Sequence, residues 1–236
     1  MGRERFDEMA HKGFRDRFEA GRLLAERLKR LQVEDGIVLA LPRGGVLVGY
    51  EIARALGLPL DVILTRKIGA PFNPEYAIGV VAENDFVSVN RREIALGVAS
   101  EEYVQQATAE NLRELARRRQ LYRGGRALPS LRARTVILVD DGVATGFTML
   151  GAIAAVKDQQ PATVIVALPV APPQAIRRLE QEVDHIEVLL APEHLDGVGA
   201  WYEDFHQVED EEVVDLLRKA AAEQTSPASA EEERET

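Results

Sequence analysis

The sequence contains no cysteine, which excludes disulfide staples and thiolate chemistry and agrees with a reducing compartment, the cytoplasm by default. Long hydrophobic runs are missing as well. None reaches the roughly 18 to 20 apolar residues that a membrane-spanning helix needs, and the opening MGRERFDEMA lacks the apolar stretch of a secretory leader. No membrane association is expected. The four histidines, His11, His185, His194 and His206, show no metal-ligand spacing, so a zinc centre is not expected. No G-x-S-x-G elbow, Walker loop or G-x-G-x-x-G fingerprint occurs, which leaves serine hydrolases, P-loop enzymes and classical dinucleotide enzymes without a motif. An excess of positive charge is also lacking. At a formal net charge of -10 the molecule repels polyanions, and nucleic acid is not an expected partner.

What is present is an ordinary globular balance, 46% hydrophobic and 29% charged residues over 236 positions, enough for one substantial core. Apolar residues recur at helical spacing from Phe14 through Leu31, predicting a helix that ends near Gly36. Ile37 to Leu41 is apolar without alternation, the mark of a strand covered on both faces; Pro42-Arg43-Gly44-Gly45 interrupts it, and a helix follows from Val46 to Leu56. Leu60 to Thr65 predicts a second such strand, with Arg66-Lys67 just after it. Ile78 to Ala82 and Phe86 to Asn90 flank Glu83-Asn84-Asp85, which predicts a protruding hairpin within about 69–90 that could serve as a lid. Ser100 is an N-cap signal for a long helix closed by Gly124-Gly125. Its arginines, Arg113, Arg117, Arg118 and Arg119, read as a solvated face paired with Glu110 and Glu114. Strands over Thr135–Val139, Thr163–Val170 and Ile186–Leu190 alternate with helices from Met149 and Pro173, and a last helix runs near Glu211 to Ala222. The alternation predicts an α/β fold with a mostly parallel sheet between helices, where ligands bind at the carboxyl ends of strands. A single domain over 1–224 is expected, with a disordered tail over 225–236.

The segment VILVDDGVATGFTM places an acidic pair after a buried strand, then a turn of small residues, then a helix start. Gly142, Ala144 and Gly146 let the backbone approach a ligand closely, and the first N–H groups of a helix are unpaired donors reinforced by the dipole. Thr145 and Thr148 add hydroxyls. Asp140 and Asp141 can accept only from a neutral or cationic part of the same ligand, a demand that vicinal ribose hydroxyls meet. Taken alone, the two aspartates could equally cap a helix.

Four apolar residues, two acidic residues and a small Thr-Gly turn resemble the signature with which type I phosphoribosyltransferases bind phosphoribosyl pyrophosphate (PRPP). Pro42-Arg43-Gly44-Gly45, Arg66-Lys67-Ile68-Gly69 and Trp201-Tyr202-Glu203-Asp204-Phe205 extend the likeness, over about Phe14 to Val213, to a bacterial group of predicted phosphoribosyltransferases. The resemblance implies that Asp140 and Asp141 hold the ribose hydroxyls and that Gly142, Val143, Ala144, Thr145, Gly146 and Thr148 surround the 5-phosphate. Arg43, Gly44 and Gly45 would form the pyrophosphate loop, and Arg66 and Lys67 would neutralise pyrophosphate as it leaves. Mg²⁺ would be held mainly by substrate and water oxygens.

By the same resemblance, a small hood from about 1–32 and 191–224 would select a nitrogenous acceptor, either a nucleobase or a related amine. Trp201, Tyr202 and Phe205 could stack on it while Asp204 accepts from its N–H groups, or the aromatics could be a packing cluster. The expected function is Mg-dependent transfer of phosphoribose with release of pyrophosphate. A non-catalytic sensor of PRPP or a nucleotide is the alternative, and a homo-oligomer is compatible with either.

Overall fold

The computed structural model describes residues 13–225. The expected tail over 225–236 therefore falls, beyond Thr225, outside the described residues, as do positions 1–12 of the expected hood. The first helix, α1, spans Arg17–Leu28 and is extended by a 3-10 turn over Lys29–Leu31. It starts three residues later than Phe14 because Asp16 caps it, the side chain accepting from the Glu19 N–H at 2.7 Å. Phe14 instead bridges to Tyr202.

Five strands form a parallel sheet: β1 (Gly36–Ala40), β2 (Leu60–Val62), β6 (Thr135–Val139), β7 (Thr163–Val170) and β8 (His185–Leu190), in the order β2-β1-β6-β7-β8. In β1, β6 and β7 both faces are covered, which is why these strands read as unbroken apolar runs rather than alternating ones. Val38, Ile137, Val139, Ile165 and Ala167 lie in one core with α1 and α2 (Gly45–Leu56). Ile37, Leu39, Val136, Leu138, Val164 and Val166 lie in the opposite core with Met149, Ile153 and Val156 of α5 (Phe147–Lys157) and Ala175 and Leu179 of α6 (Pro173–Leu179). Strand direction and order together produce a switch point. From β1 the chain proceeds to β2 on one side, and from β6 to β7 on the other, so the carboxyl ends of β1 and β6 border the crevice where open α/β sheets hold ligands.

A second, antiparallel sheet joins β3 (Thr65–Ala70), β4 (Asn73–Ala82) and β5 (Val87–Val89). It corrects the expected second strand over Leu60–Thr65. The parallel strand stops at Val62, and Thr65 already belongs to the other sheet. The separation is fixed by Glu83, whose N–H donates to the Leu64 carbonyl at 3.1 Å and whose carboxylate accepts from the Leu64 N–H at 3.2 Å. The expected hairpin is thereby changed as well: its turn at Glu83-Asn84-Asp85 is docked rather than projecting, with Glu83 buried against Arg123. The exposed end is the opposite turn, where Phe72 is 71% exposed and stacks on Tyr76.

The inner face of this sheet, with Ile68, Ala70, Ile78 and Val81, packs in a third core with Val104, Leu115 and Tyr122 of α4 (Glu101–Arg123) and Val213 and Leu217 of α7 (Asp210–Thr225). A short helix, α3 (Arg91–Ala95), leads into α4. Ser100 and Gly124 cap α4 as expected, Ser100 accepting from the Tyr103 N–H and Gly124 adopting a left-handed conformation. Among the described residues no helix is long and apolar enough to cross a membrane.

Candidate active site

Two loops meet at the switch point. Leu41, just past β1, donates its N–H to the Val139 carbonyl at the end of β6 (2.8 Å), so the chain after each strand leaves side by side. The Pro42–Arg43 peptide is cis, and Gly44 and Gly45 lead into α2. A Cβ at Gly44 would fall 1.9 Å from a carboxylate oxygen of Asp141, and one at Gly45 would lie 2.9 Å from the Asp140 Cα. The loops touch only because these side chains are absent. Arg43 does not point its fork freely into the crevice: its Nη1 pairs with Glu209 at 3.2 Å.

After β6 the backbone passes Asp140, Asp141 and Gly142, then turns at Gly146 (φ 79°) into α5. Gly146 offers no side-chain cap, so the first-turn donors of a helix N-terminus are left for a ligand. Ala144, Thr145 and Thr148 are exposed along this turn, as is Phe147. Val143 corrects its expected place around a phosphate. It is buried, and its N–H donates to the Val170 carbonyl at 3.0 Å. Gly142 is buried as well, against Val198.

The acidic pair is asymmetric. Asp140 Oδ1 accepts from the Asp141 N–H at 2.9 Å. Burial, and next the neighbouring Asp141 carboxylate, push the Asp140 carboxyl well above the usual carboxylate range. Asp141 is held by a residue that sequence patterning does not single out, Arg17 at the start of α1. Arg17 is 5% exposed, its Nε donates to Asp141 Oδ2 at 2.8 Å and its Nη1 to the His206 carbonyl at 3.0 Å. Its guanidinium carbon lies 3.7 Å from the Phe205 ring centroid. One local signal was available: a cation in the first turn opposes the helix dipole, and such a residue needs a partner elsewhere.

The aromatic segment is placed unevenly. Tyr202 is buried between Phe14 and Phe205, with ring centroids 5.3 and 5.1 Å away, and its hydroxyl donates to the backbone carbonyl of Asp141 at 2.6 Å. Burial, with Asp141 nearby, raises its phenol pKa. Tyr202 is therefore a support for the acidic loop, not a stacking platform. Trp201 packs on the same core, and its carbonyl accepts from the Phe14 N–H. Phe205 is 38% exposed, and Asp204 is exposed with its carboxylate accepting from the His206 N–H at 3.1 Å.

Arg66 and Lys67 lie on β3 rather than in a turn beyond a parallel strand, and strand alternation sends their side chains to opposite faces. Arg66 is taken up by α4, its Nε donating to Asn111 Oδ1 at 2.9 Å with Glu114 at 3.9 Å. That corrects its expected position over pyrophosphate. Lys67 lines a cleft of about 300 Å³ together with Phe147 and Thr148 of α5 and Ser88 and Asn90 beyond β4. Among the described residues no group of three or more His, Asp or Glu side chains could hold a metal ion.

Comparison with known proteins places this crevice in context. Residues 16–196 match the family model "Phosphoribosyl transferase domain". The chain is 39% identical over 208 residues, 88% of its length, to two Mycobacterium tuberculosis proteins, from strains CDC 1551 and H37Rv, each named "Putative phosphoribosyl transferase". It spans about half the length of these curated relatives, 47%. The crystal structure of TT1426 from Thermus thermophilus superposes with a TM-score of 0.79 at 44% identity, covering 88% of this chain and 98% of that one. A family match over most of the chain, on a parallel sheet whose switch point carries an acidic pair and a glycine-opened helix start, shows that the chain belongs to the phosphoribosyl transferase domain family.

Proposed function

We propose that this protein transfers the 5-phosphoribosyl group of PRPP to a nitrogen of a small acceptor, a nucleobase or related amine, and releases pyrophosphate. One observation carries the proposal. The loop after β1 and the acidic loop after β6 are packed against each other at the switch point, next to an uncapped start of α5. A ribose 5-phosphate spans such a pair of features, its phosphate at the helix N-terminus and its hydroxyls at the carboxylates.

In this assignment Thr145, Thr148 and the first N–H groups of α5 bind the 5-phosphate. Asp141 keeps one carboxylate oxygen on Arg17 and has the other for a ribose hydroxyl, while Asp140 faces the same sugar. Gly44 and Gly45 give pyrophosphate a surface of backbone without side chains. Arg43 would exchange Glu209 for the anion, a partner of higher charge. In the reaction the bond from the anomeric carbon to pyrophosphate oxygen breaks with its electron pair leaving on pyrophosphate. The acceptor nitrogen forms the new bond and gives up a proton. Mg²⁺ arriving with PRPP would supply neutralisation of the leaving charge. Lys67, which lines the same cleft as Thr148, would add a further positive charge.

The acceptor would enter beside Phe205, the exposed aromatic of the 201–206 segment, with Asp204 as a carboxylate near its N–H groups. The test is PRPP-dependent pyrophosphate release across a panel of purine, pyrimidine and simple amine acceptors, with Mg²⁺ present. Turnover with one acceptor class supports transfer. Saturable PRPP binding without turnover for any acceptor would overturn it in favour of a sensor.

A further inference from the structure

Arg17 sits where a charged side chain is costly. A guanidinium that is 5% exposed has lost nearly all of its water, and desolvation of that kind is offset only by close partners of good geometry. It also begins α1, where the helix dipole disfavours a cation. Three segments meet around it. Nε is on Asp141 Oδ2 and Nη1 on the His206 carbonyl. Phe205 covers one face, and a Cβ at Gly44 would approach Nε to 3.0 Å.

Building on the assignment of the acidic pair to ribose, we infer that Arg17 is a positioning residue. It holds Asp141 as the oriented carboxylate of the pair and ties that carboxylate to the 201–206 segment beside which the acceptor enters. Asp141 is fixed at both ends. Arg17 takes one carboxylate oxygen, and the Tyr202 hydroxyl takes the backbone carbonyl at 2.6 Å. The carboxylate is then held in one orientation, and movement of Phe205 or His206 reaches it through a single side chain, Arg17. The charged or titratable groups facing the pair are Arg17 from α1, the Tyr202 phenol from the 201–206 segment, and the two aspartates themselves. The loop after β1 presents Gly44 and Gly45, its Arg43 being turned to Glu209. Arg17 is thus the cation set against both carboxylates, and its charge lowers the cost of ionising Asp140.

The experiment uses the full chain as wild type, Arg17→Met and Arg17→Lys, with carbon-13-labelled aspartate carboxyls titrated by NMR in the free protein and PRPP affinity measured by calorimetry. Arg17→Met should raise the titration midpoint of Asp140 by about one pH unit and weaken PRPP binding roughly tenfold to a hundredfold. Arg17→Lys should restore most of the midpoint, since the charge returns, but only part of the affinity, since one ammonium cannot reproduce the guanidinium fork. An unchanged midpoint in Arg17→Met overturns the inference even if affinity falls, because that pattern is packing alone. Should Arg17→Met not fold, Arg17→Lys decides: affinity equal to wild type would overturn the inference. A wild-type protein that binds no PRPP defeats the transferase proposal, while the carboxyl titration still judges Arg17.

Discussion

A Cβ placed on Gly44 would sit 1.9 Å from the Asp141 carboxylate. The two residues are 97 positions apart in the chain, by their numbers, yet Asp141 occupies the space that a side chain at position 44 would need. The two loops pack together because residue 44 has no side chain.

Gly44→Ala should therefore act on the site and hardly on the fold. Gly44 has φ -59° and ψ -36°, which alanine adopts freely, so any damage arises from displacing Asp141 and Arg17. PRPP affinity measured by calorimetry should fall by roughly tenfold or more, with the helix signal in circular dichroism retained.

The two aspartates should respond differently to asparagine. Asp141→Asn leaves the buried Arg17 without its carboxylate and should cost about 2 to 4 kcal/mol of stability, read from urea midpoints. Asp140→Asn removes a carboxyl whose ionisation is already opposed by burial, so stability at neutral pH should hold or rise. Both should weaken PRPP binding.

Asp140 also sets a pH dependence. Its folded pKa is raised, first by burial and then by Asp141. The folded state therefore binds the proton more tightly than the unfolded chain. The stability this contributes is complete below the ordinary carboxylate pKa, and is lost as pH rises through the folded value. Urea midpoints of wild type relative to Asp140→Asn should decline as pH is raised above the ordinary carboxylate pKa. A constant difference would contradict the assignment of the raised carboxyl.

Glu114 should show the opposite sign. Hydrogen bonding from Arg117, then from Arg118, lowers its pKa from 4.5 to about 2, with Nε distances of 2.8 and 2.9 Å. Its contribution is present above pH 4.5 and is lost as pH falls toward 2. Because the group lies at the surface, Glu114→Gln should cost about 1 kcal/mol or less near neutrality, and the two proteins should converge in acid.

The Glu83–Arg123 pair is a buried ion pair, both side chains being under a tenth exposed. Asp61 lies 3.6 Å from Arg123 Nε. Glu83→Gln should cost about 3 to 5 kcal/mol by leaving the buried Arg123 without its carboxylate partner, while the backbone bond to Leu64 and an acceptor for the Leu64 N–H remain. Thermal denaturation should show the loss, and Glu83→Gln with Arg123→Met should recover part of it.

Local chemistry made much of the fold legible. β1, β6 and β7 were readable because a strand covered on both faces must be apolar throughout, and α4 because Ser100 and Gly124 carry their capping geometry in their own side chains or lack of one. The Asp140 to Thr148 segment could be read since its acidic, small and hydroxyl residues are contiguous. The same logic misled at Ile63-Leu64, where an apolar run continues across the boundary between two sheets, and at Glu83, which lies in the turn expected to project and is instead buried.

What the sequence determined alone was therefore whatever depends on neighbours along the chain: hydrophobic period, caps and a contiguous ligand loop. Tertiary structure decided which distant groups share a charge. Arg17 reaches Asp141 across 124 positions, Arg66 leaves the expected pyrophosphate position for Asn111, and Tyr202 becomes a support instead of a platform. For Arg17 and Tyr202 the physical reason is burial: a buried polar side chain must find a partner, and for all three residues the partner is chosen by packing in space, which no local pattern records.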